Sequence, residues 1–230
     1  MILESTICPE VETAAALRRK AFVDVAREAF FANGYAGTTM SSIAARVGGS
    51  KTTLWSYFPS KQDLFEAVLD DIVDHYGQAL SAALPPPEDF ERGLAVFGRA
   101  MMATILSEPI IALHRLVIGE AGRFPELASI FWDRGPKRGK ERLAAFIAQA
   151  MAIGRLRDGD PMLAALQFSG MCQSGSYQNA ILGVDTGLTS DAVERDVDAA
   201  VDSFLRAWKV TPGSRNSFAR SGKGFDHTRS

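Results

Sequence analysis

In Lys51-Thr52-Thr53-Leu54-Trp55-Ser56-Tyr57 a cation, two hydroxyl-plus-methyl side chains, an indole N–H and a phenol fall close together, and Lys61 follows shortly after. Nothing in this set forms a nucleophile–base pair. The set matches what duplex DNA presents, because phosphates take cationic and neutral donors while base edges take short hydroxyls, methyl groups and long cations. Lys51 can reach guanine O6/N7 or a phosphate, and Thr52 and Thr53 can read bases. Trp55, Tyr57 and Lys61 suit the sugar-phosphate backbone, and Thr39, Ser41 and Ser50 add hydroxyls at two helix starts.

These residues need two short helices and a tight corner to hold them. Met40, Ile43, Ala44 and Val47 recur at i, i+3, i+4 and i+7 and predict one helix, with Thr39 or Ser41 able to cap its first N–H groups. Gly48-Gly49 stops it, since glycine tolerates the left-handed conformation of a helix C-cap, and Ser50 can cap a second helix over 51–57. In that helix only Leu54 and Phe58 look inward. The result is a helix-turn-helix with a polar outer surface. Phe22, Val25, Ala26, Ala29 and Phe30 predict the third helix of the module, over 17–33, stopped at Gly34. Ser60-Lys61-Gln62-Asp63 resembles a capping box and opens a longer helix carrying Leu64, Val68, Ile72, His75 and Ala79, which ends at Pro85-Pro86-Pro87.

The remaining chain stays helical, with no alternating strand pattern and no repeat. Phe90 to Ile105 and Ile110 to Val117 mark two helices, and Pro125 to Gly154 is expected to break at Gly135-Pro136. Asp160-Pro161 caps and starts a helix read as continuous to about Leu182. The last helix, 190–208, carries Val193, Val197, Ala200, Val201, Phe204, Leu205 and Trp208 on one face, with Arg195, Asp198, Asp202 and Arg206 opposite. The fold class is therefore all-α.

Residues 18–72 resemble the DNA-binding domain of the Tet repressor family of bacterial regulators. The resemblance rests on Ala29-Phe30, Gly34-Tyr35, Thr38-Thr39, Ile43-Ala44, Val47-Gly48, Ser50-Lys51, Leu54, Tyr57-Phe58, Ser60-Lys61 and Leu64, in register. It implies base contacts near Lys51 and Thr52 and phosphate contacts from Thr39, Trp55, Tyr57 and Lys61. Three positions depart from the family pattern: Gly49 stands where an apolar residue is common, Thr52 where Gly is common, and Trp55 where Tyr is common. The indole keeps one donor in place of the phenol. The block 115–136, RLVIGEAGRFPELASIFWDRGP, is similar to an AefR-like subgroup of that family, linked to control of efflux and stress responses.

The expected organisation is an arm over 1–13, a three-helix DNA-binding domain over 14–60, a larger helical effector-binding and dimerisation domain over 61–211, and a disordered tail over 212–230. The resemblance implies that the last two long helices pair with the same helices of a second copy. Gly170, Ser174 and Gln178 at four-residue spacing permit close helix approach, and Val197, Val201, Phe204 and Leu205 offer an apolar stripe for a two-fold axis. Domain order and resemblance imply a small-molecule effector in the larger domain. Phe97, Met101, Ile105, His114, Phe131, Trp132, Phe168 and Met171 are the candidate lining, an apolar set with one titratable group that also reads as plain core.

Composition agrees. Apolar residues make up 47% of the 230 and charged ones 23%, enough for a large core. The net charge is −2, yet residues 14–61 hold seven Lys and Arg against two Asp and Glu, a local +5 that sets phosphate attraction. No apolar run approaches a membrane span and no signal pattern opens the chain, so a cytoplasmic protein without membrane contact is expected. His75, His114 and His227 are scattered without metal-ligand spacing, and no phosphate-binding loop is present, so no catalytic residue, metal or cofactor is expected. Cys8 and Cys172 form no disulfide framework; Cys172 reads as a small buried hydrophobe, with redox sensing as the alternative. The partners expected are a DNA operator, a second copy and an effector. The competing reading is a regulator that works through protein partners, its DNA surface having drifted at Thr52 and Trp55.

Overall fold

The computed structural model describes residues 13–76, 84–184 and 189–210. The predicted arm with Cys8, the extension of the fourth helix to Ala79, and the tail with His227 lie outside the described residues. Among the described residues the regular structure is helical, with one isolated antiparallel bridge between Leu156 and Lys209.

The elements are α1 (Ala14–Gly37), α2 (Met40–Val47), α3 (Lys51–Tyr57), α4 (Lys61–Tyr76), a 3-10 turn (Pro87–Asp89), α5 (Phe90–Ile105), α6 (Glu108–Glu120), α7 (Pro125–Arg134), α8 (Pro136–Ala152), α9 (Pro161–Cys172), α10 (Ser176–Leu182) and α11 (Ser190–Trp208). Local caps explain most boundaries. Thr39 Oγ1 accepts from Ser42 N at 3.1 Å, Ser50 Oγ from Thr53 N at 3.1 Å, Ser60 Oγ from Asp63 N at 3.0 Å, and Asp160 Oδ1 from Met162 N at 2.8 Å. Each such cap contributes about 0.5–2 kcal/mol. Gly48 closes α2 at φ +72°, where its N–H reaches the carbonyls of Ala44 and Ala45.

One boundary agrees and one differs from the sequence expectation. The first helix breaks at Gly34 as expected, where φ +73° and ψ 169° are non-helical, and a last short turn to Gly37 leads toward α2. The helix expected to run from 161 to 182 breaks at 173–175 into α9 and α10. The cause is distant in sequence: the Asp196 carboxylate of α11 accepts from Ser176 N at 2.7 Å, capping α10 from another helix. A Cβ on Gly175 would stand 2.6 Å from Asp196 Oδ1, so only glycine lets that carboxylate in.

Two apolar clusters organise the molecule. The first joins Phe22, Phe30, Ile43, Leu54, Phe58, Leu64, Phe65 and Ile72 of α1–α4 with Ile110, Leu113, Val117 of α6 and Leu127 of α7. The helices α1–α4 therefore share one apolar cluster with α6 and α7. The second cluster packs α5, α8, α9 and α11 around Phe90, Leu94, Phe97, Phe146, Phe168, Val197, Phe204 and Trp208. Ile105 touches both. No single helix among the described residues is long and apolar enough to cross a membrane.

Candidate nucleic-acid interface and ligand cavity

The corner α2–turn–α3 is built from inside by Ile43, Ala44, Leu54 and Phe58, all buried. Outside it stand Ser41, Ser50, Lys51, Thr52, Trp55 and Ser56, with Trp55 47% exposed although it is a large hydrophobe. Such an apolar-bodied donor on a polar surface marks a binding face more than a folding requirement. Among the described residues no carboxylate pairs with Lys51. Other cations of the module are held: Lys20 pairs with Asp24, Arg27 with Asp24 and Asp71, and Arg46 with Glu28. The Thr53 hydroxyl is half-buried and bonds Ser50 Oγ at 2.9 Å, which leaves Thr52 as the more available hydroxyl of the pair. Tyr57 lays its ring 5.8 Å from Phe22 and is half-exposed at its other edge.

Lys61, expected as a phosphate clamp, is engaged within its own chain. Its Nζ donates to the Tyr35 carbonyl at 2.8 Å and the Thr38 carbonyl at 3.1 Å, and sits 4.2 Å from the Tyr35 ring centroid. Burial lowers its pKa, with Glu120 acting in the opposite sense. The ammonium ties the start of α4 to the end of α1. Arg18 donates to the Gly48 carbonyl at 3.4 Å and Arg19 lies 5.0 Å over Phe58.

Between the two clusters lies a cavity of about 720 Å³. Phe97, Met101, Ile105, His114, Phe131 and Trp132 of the expected lining border it. Phe168 and Met171 do not: α9 is rotated so that Phe168 is buried against Phe204 at 5.6 Å between ring centroids, and Met171 packs on the same cluster. Ser169, Gln173 and Tyr177 face the cavity instead. Sequence reasoning also missed Val73 and Asp74 of α4, which border it, and the basic side chains Arg134, Arg138, Lys140 and Arg142. No apolar periodicity singles them out, since Arg134 ends α7 and the other three sit in the charged run Lys137-Arg138-Gly139-Lys140-Glu141-Arg142 at the start of α8. Arg134 is neutralised by Glu66 at 2.8 Å and Asp70 at 2.7 Å, both on α4.

His114 Nδ1 and the Tyr177 hydroxyl lie 3.0 Å apart, in hydrogen-bond contact. Burial, and after it the Lys140 charge, lowers His114 to about 4, so the imidazole is neutral at pH 7. In either neutral tautomer the pair retains one spare donor and one spare acceptor. Burial raises Tyr177 and lowers Lys140.

The proposed dimer residues fall into two groups. Gly170, Ser174 and Gln178 are exposed, and a Cβ on Gly170 would meet nothing within 4 Å. Val197 and Phe204 are fully buried in their own chain, and Val201 and Leu205 pack against the same cluster, so that stripe is intrachain core. Its outward side carries Arg195, Asp198, Asp202 and Arg206. Cys172 is buried, and burial, then Asp196, push its thiol up to about 12, which disfavours the thiolate that redox sensing requires. Among the described residues no cluster of three His, Cys, Asp or Glu could hold a metal ion.

Comparison with known proteins matches two family models. One, described as "Bacterial regulatory proteins, tetR family", covers residues 22–68; the other, described as "AefR-like transcriptional repressor, C-terminal domain", covers 92–210. The HTH-type transcriptional regulator RutR of Escherichia coli (strain K12) is 41% identical over 69 residues, 30% of this chain and 32% of that protein. The HTH-type transcriptional repressor ComR of the same strain is 33% identical over 66 residues, 29% of this chain and 31% of that protein. The chain thus spans about a third of the length of these curated relatives. Among solved structures, the "Flavonoid-responsive Regulator FrrA" is 31% identical with a TM-score of 0.75, covering 86% of this chain and 99% of that one. A TetR family transcriptional regulator from Pseudomonas syringae pv. tomato is 25% identical with a TM-score of 0.69, covering 84% and 97%.

Proposed function

Because the chain belongs to the TetR family of bacterial transcriptional regulators, we propose that it is a cytoplasmic, homodimeric repressor. It binds a pseudo-palindromic operator and leaves it when a small amphipathic effector fills the cavity. The observation that carries the DNA-binding reading is the helix-turn-helix whose buried Ile43 and Leu54 turn Lys51, Thr52 and Trp55 outward together. Two such faces related by a two-fold read half-sites about one helical turn, roughly 34–36 Å, apart.

The route from cavity to DNA runs through α4 and α7. Val73 and Asp74 of α4 border the cavity, while the start of the same helix is fixed to α1 by Lys61. Arg134, also at the cavity, holds α7 to Glu66 and Asp70 of α4. A ligand that displaces α7 therefore pulls on the element that sets the angle of α3. The coupling required is modest, about 1–3 kcal/mol for a five- to 150-fold change in operator affinity. The likeness to a regulator named for its flavonoid response supports an effector with aromatic character.

The test is selection of bound fragments from sheared genomic DNA, followed by titration of the winning site with native protein and Lys51→Ala. A pseudo-palindrome bound by the native protein and weakened in the variant is expected. Salt-sensitive binding without any enriched sequence would instead favour a regulator acting through protein partners.

A further inference from the structure

The cavity's polarity is one-sided. Four cations, Arg134, Arg138, Lys140 and Arg142, border it against one carboxylate, Asp74. Arg134 is already answered by Glu66 and Asp70. Lys140 differs: it is half-buried, its ammonium stands 5.0 Å over the Trp132 ring, and among the described residues no carboxylate pairs with it. A partly desolvated cation without a counter-charge is costly to the empty protein, and an anion arriving beside it removes that cost. The walls around it are aromatic. Phe97, Phe131 and Trp132 border the cavity, and the His114 ring meets Phe131 edge-on at 5.0 Å.

We propose that the ligand of this cavity is an aromatic acid, with its carboxylate or ionised phenol against the Lys140 ammonium and its rings among Phe97, Phe131 and Trp132. The inference rests on the reading of this cavity as the effector site and adds the charge of the effector. A neutral His114 supplies no second positive charge, so the anion preference resides in Lys140. The His114–Tyr177 pair is then left to meet a ring hydroxyl. The volume of about 720 Å³ accepts a molecule of two or three fused or linked rings.

The test is calorimetric titration of the full-length protein with 2-naphthoate and with 2-naphthalenemethanol, which has the same rings and no charge. The native protein is expected to prefer the acid by about tenfold or more. Lys140→Met should lose that preference while still binding the alcohol, and Lys140→Arg should retain it. Circular dichroism of each variant establishes that it is folded. Equal affinity for the two probes, or a preference that survives in Lys140→Met, would overturn the charge assignment and leave the cavity a ligand site. Binding of neither probe by the native protein would remove the effector-site reading, and the inference with it.

Discussion

The Glu120 carboxylate accepts a hydrogen bond from the Ala36 backbone N–H at 2.9 Å, which joins the last turn of α6 to the corner between α1 and α2. The same helix α6 borders the cavity with Ile110, His114, Val117 and Ile118. Gly34 makes room for the contact, since a Cβ there would stand 2.8 Å from Glu120 Oε1. A charged acceptor for a half-buried amide contributes about 1.5–3 kcal/mol. Glu120→Ala should lower the unfolding free energy by about that amount in urea titrations, and Glu120→Gln, which keeps an acceptor, by clearly less. Equal losses would mean that the hydrogen bond adds nothing beyond the side chain's bulk.

Lys61 and Lys51 separate fold from recognition. Lys61 satisfies two carbonyls at the α1–α2 corner, whereas Lys51 projects from the first turn of α3. Lys61→Met is expected to destabilise the protein by about 1–3 kcal/mol, the cost of leaving carbonyls unpaired. Its operator affinity should keep the native dependence on salt. Lys51→Ala should leave stability unchanged and, if the lysine meets a phosphate, reduce the slope of log K against log salt by about one. A Lys61→Met slope reduced by the same amount would restore the clamp role that the structure argues against.

What was legible in the sequence was local. Ser50, Asp160 and the Ser60–Asp63 pair cap helices within three residues of themselves, so spacing alone located them. Gly135-Pro136 likewise announced a break that occurs. The break at Gly175 was not legible, because its cap comes from Asp196 on a different helix. The cavity was half legible for a related reason. Hydrophobic periodicity identifies which residues turn inward, but Phe97 and Phe168 obey the same rule, and only packing sends one to the cavity and the other onto Phe204. The intrachain role of Lys61 was not legible because a lysine at a helix start looks the same in sequence whether it meets a phosphate or a carbonyl.

His114 gives the protein an acid-sensitive stability. Its pKa is depressed from 6.5 to about 4, so the unfolded chain binds the proton more readily than the folded one. Stability therefore falls as pH drops below 6.5 and the contribution levels off below about 4. The full effect is on the order of 3 kcal/mol, less the part that water at this half-buried site screens. His114→Gln keeps a partner for Tyr177 without the titration. Urea unfolding at pH 7 and pH 5 should show a larger loss for the native protein than for the variant; identical losses would place the acid sensitivity elsewhere.

If the protein is the proposed homodimer, the outward face of α9 is the surface expected to pair, because the apolar stripe of α11 is already packed within its own chain. Leu163 and Leu166 are 47% and 42% exposed, and with Gly170 they occupy one helical face at i, i+3 and i+7. Among the described residues nothing explains why position 170 is glycine, since a Cβ there meets nothing within 4 Å. Close approach of a second helix does explain it. Leu166→Glu should therefore sediment as a folded monomer at concentrations where the native protein is a dimer. Phe204→Ala, which removes a fully buried ring, should instead cost about 3–5 kcal/mol of stability while the dimer persists wherever the protein is folded. A dimeric Leu166→Glu would move the interface off α9, because a pair of carboxylates facing each other across a two-fold cannot be buried without partners.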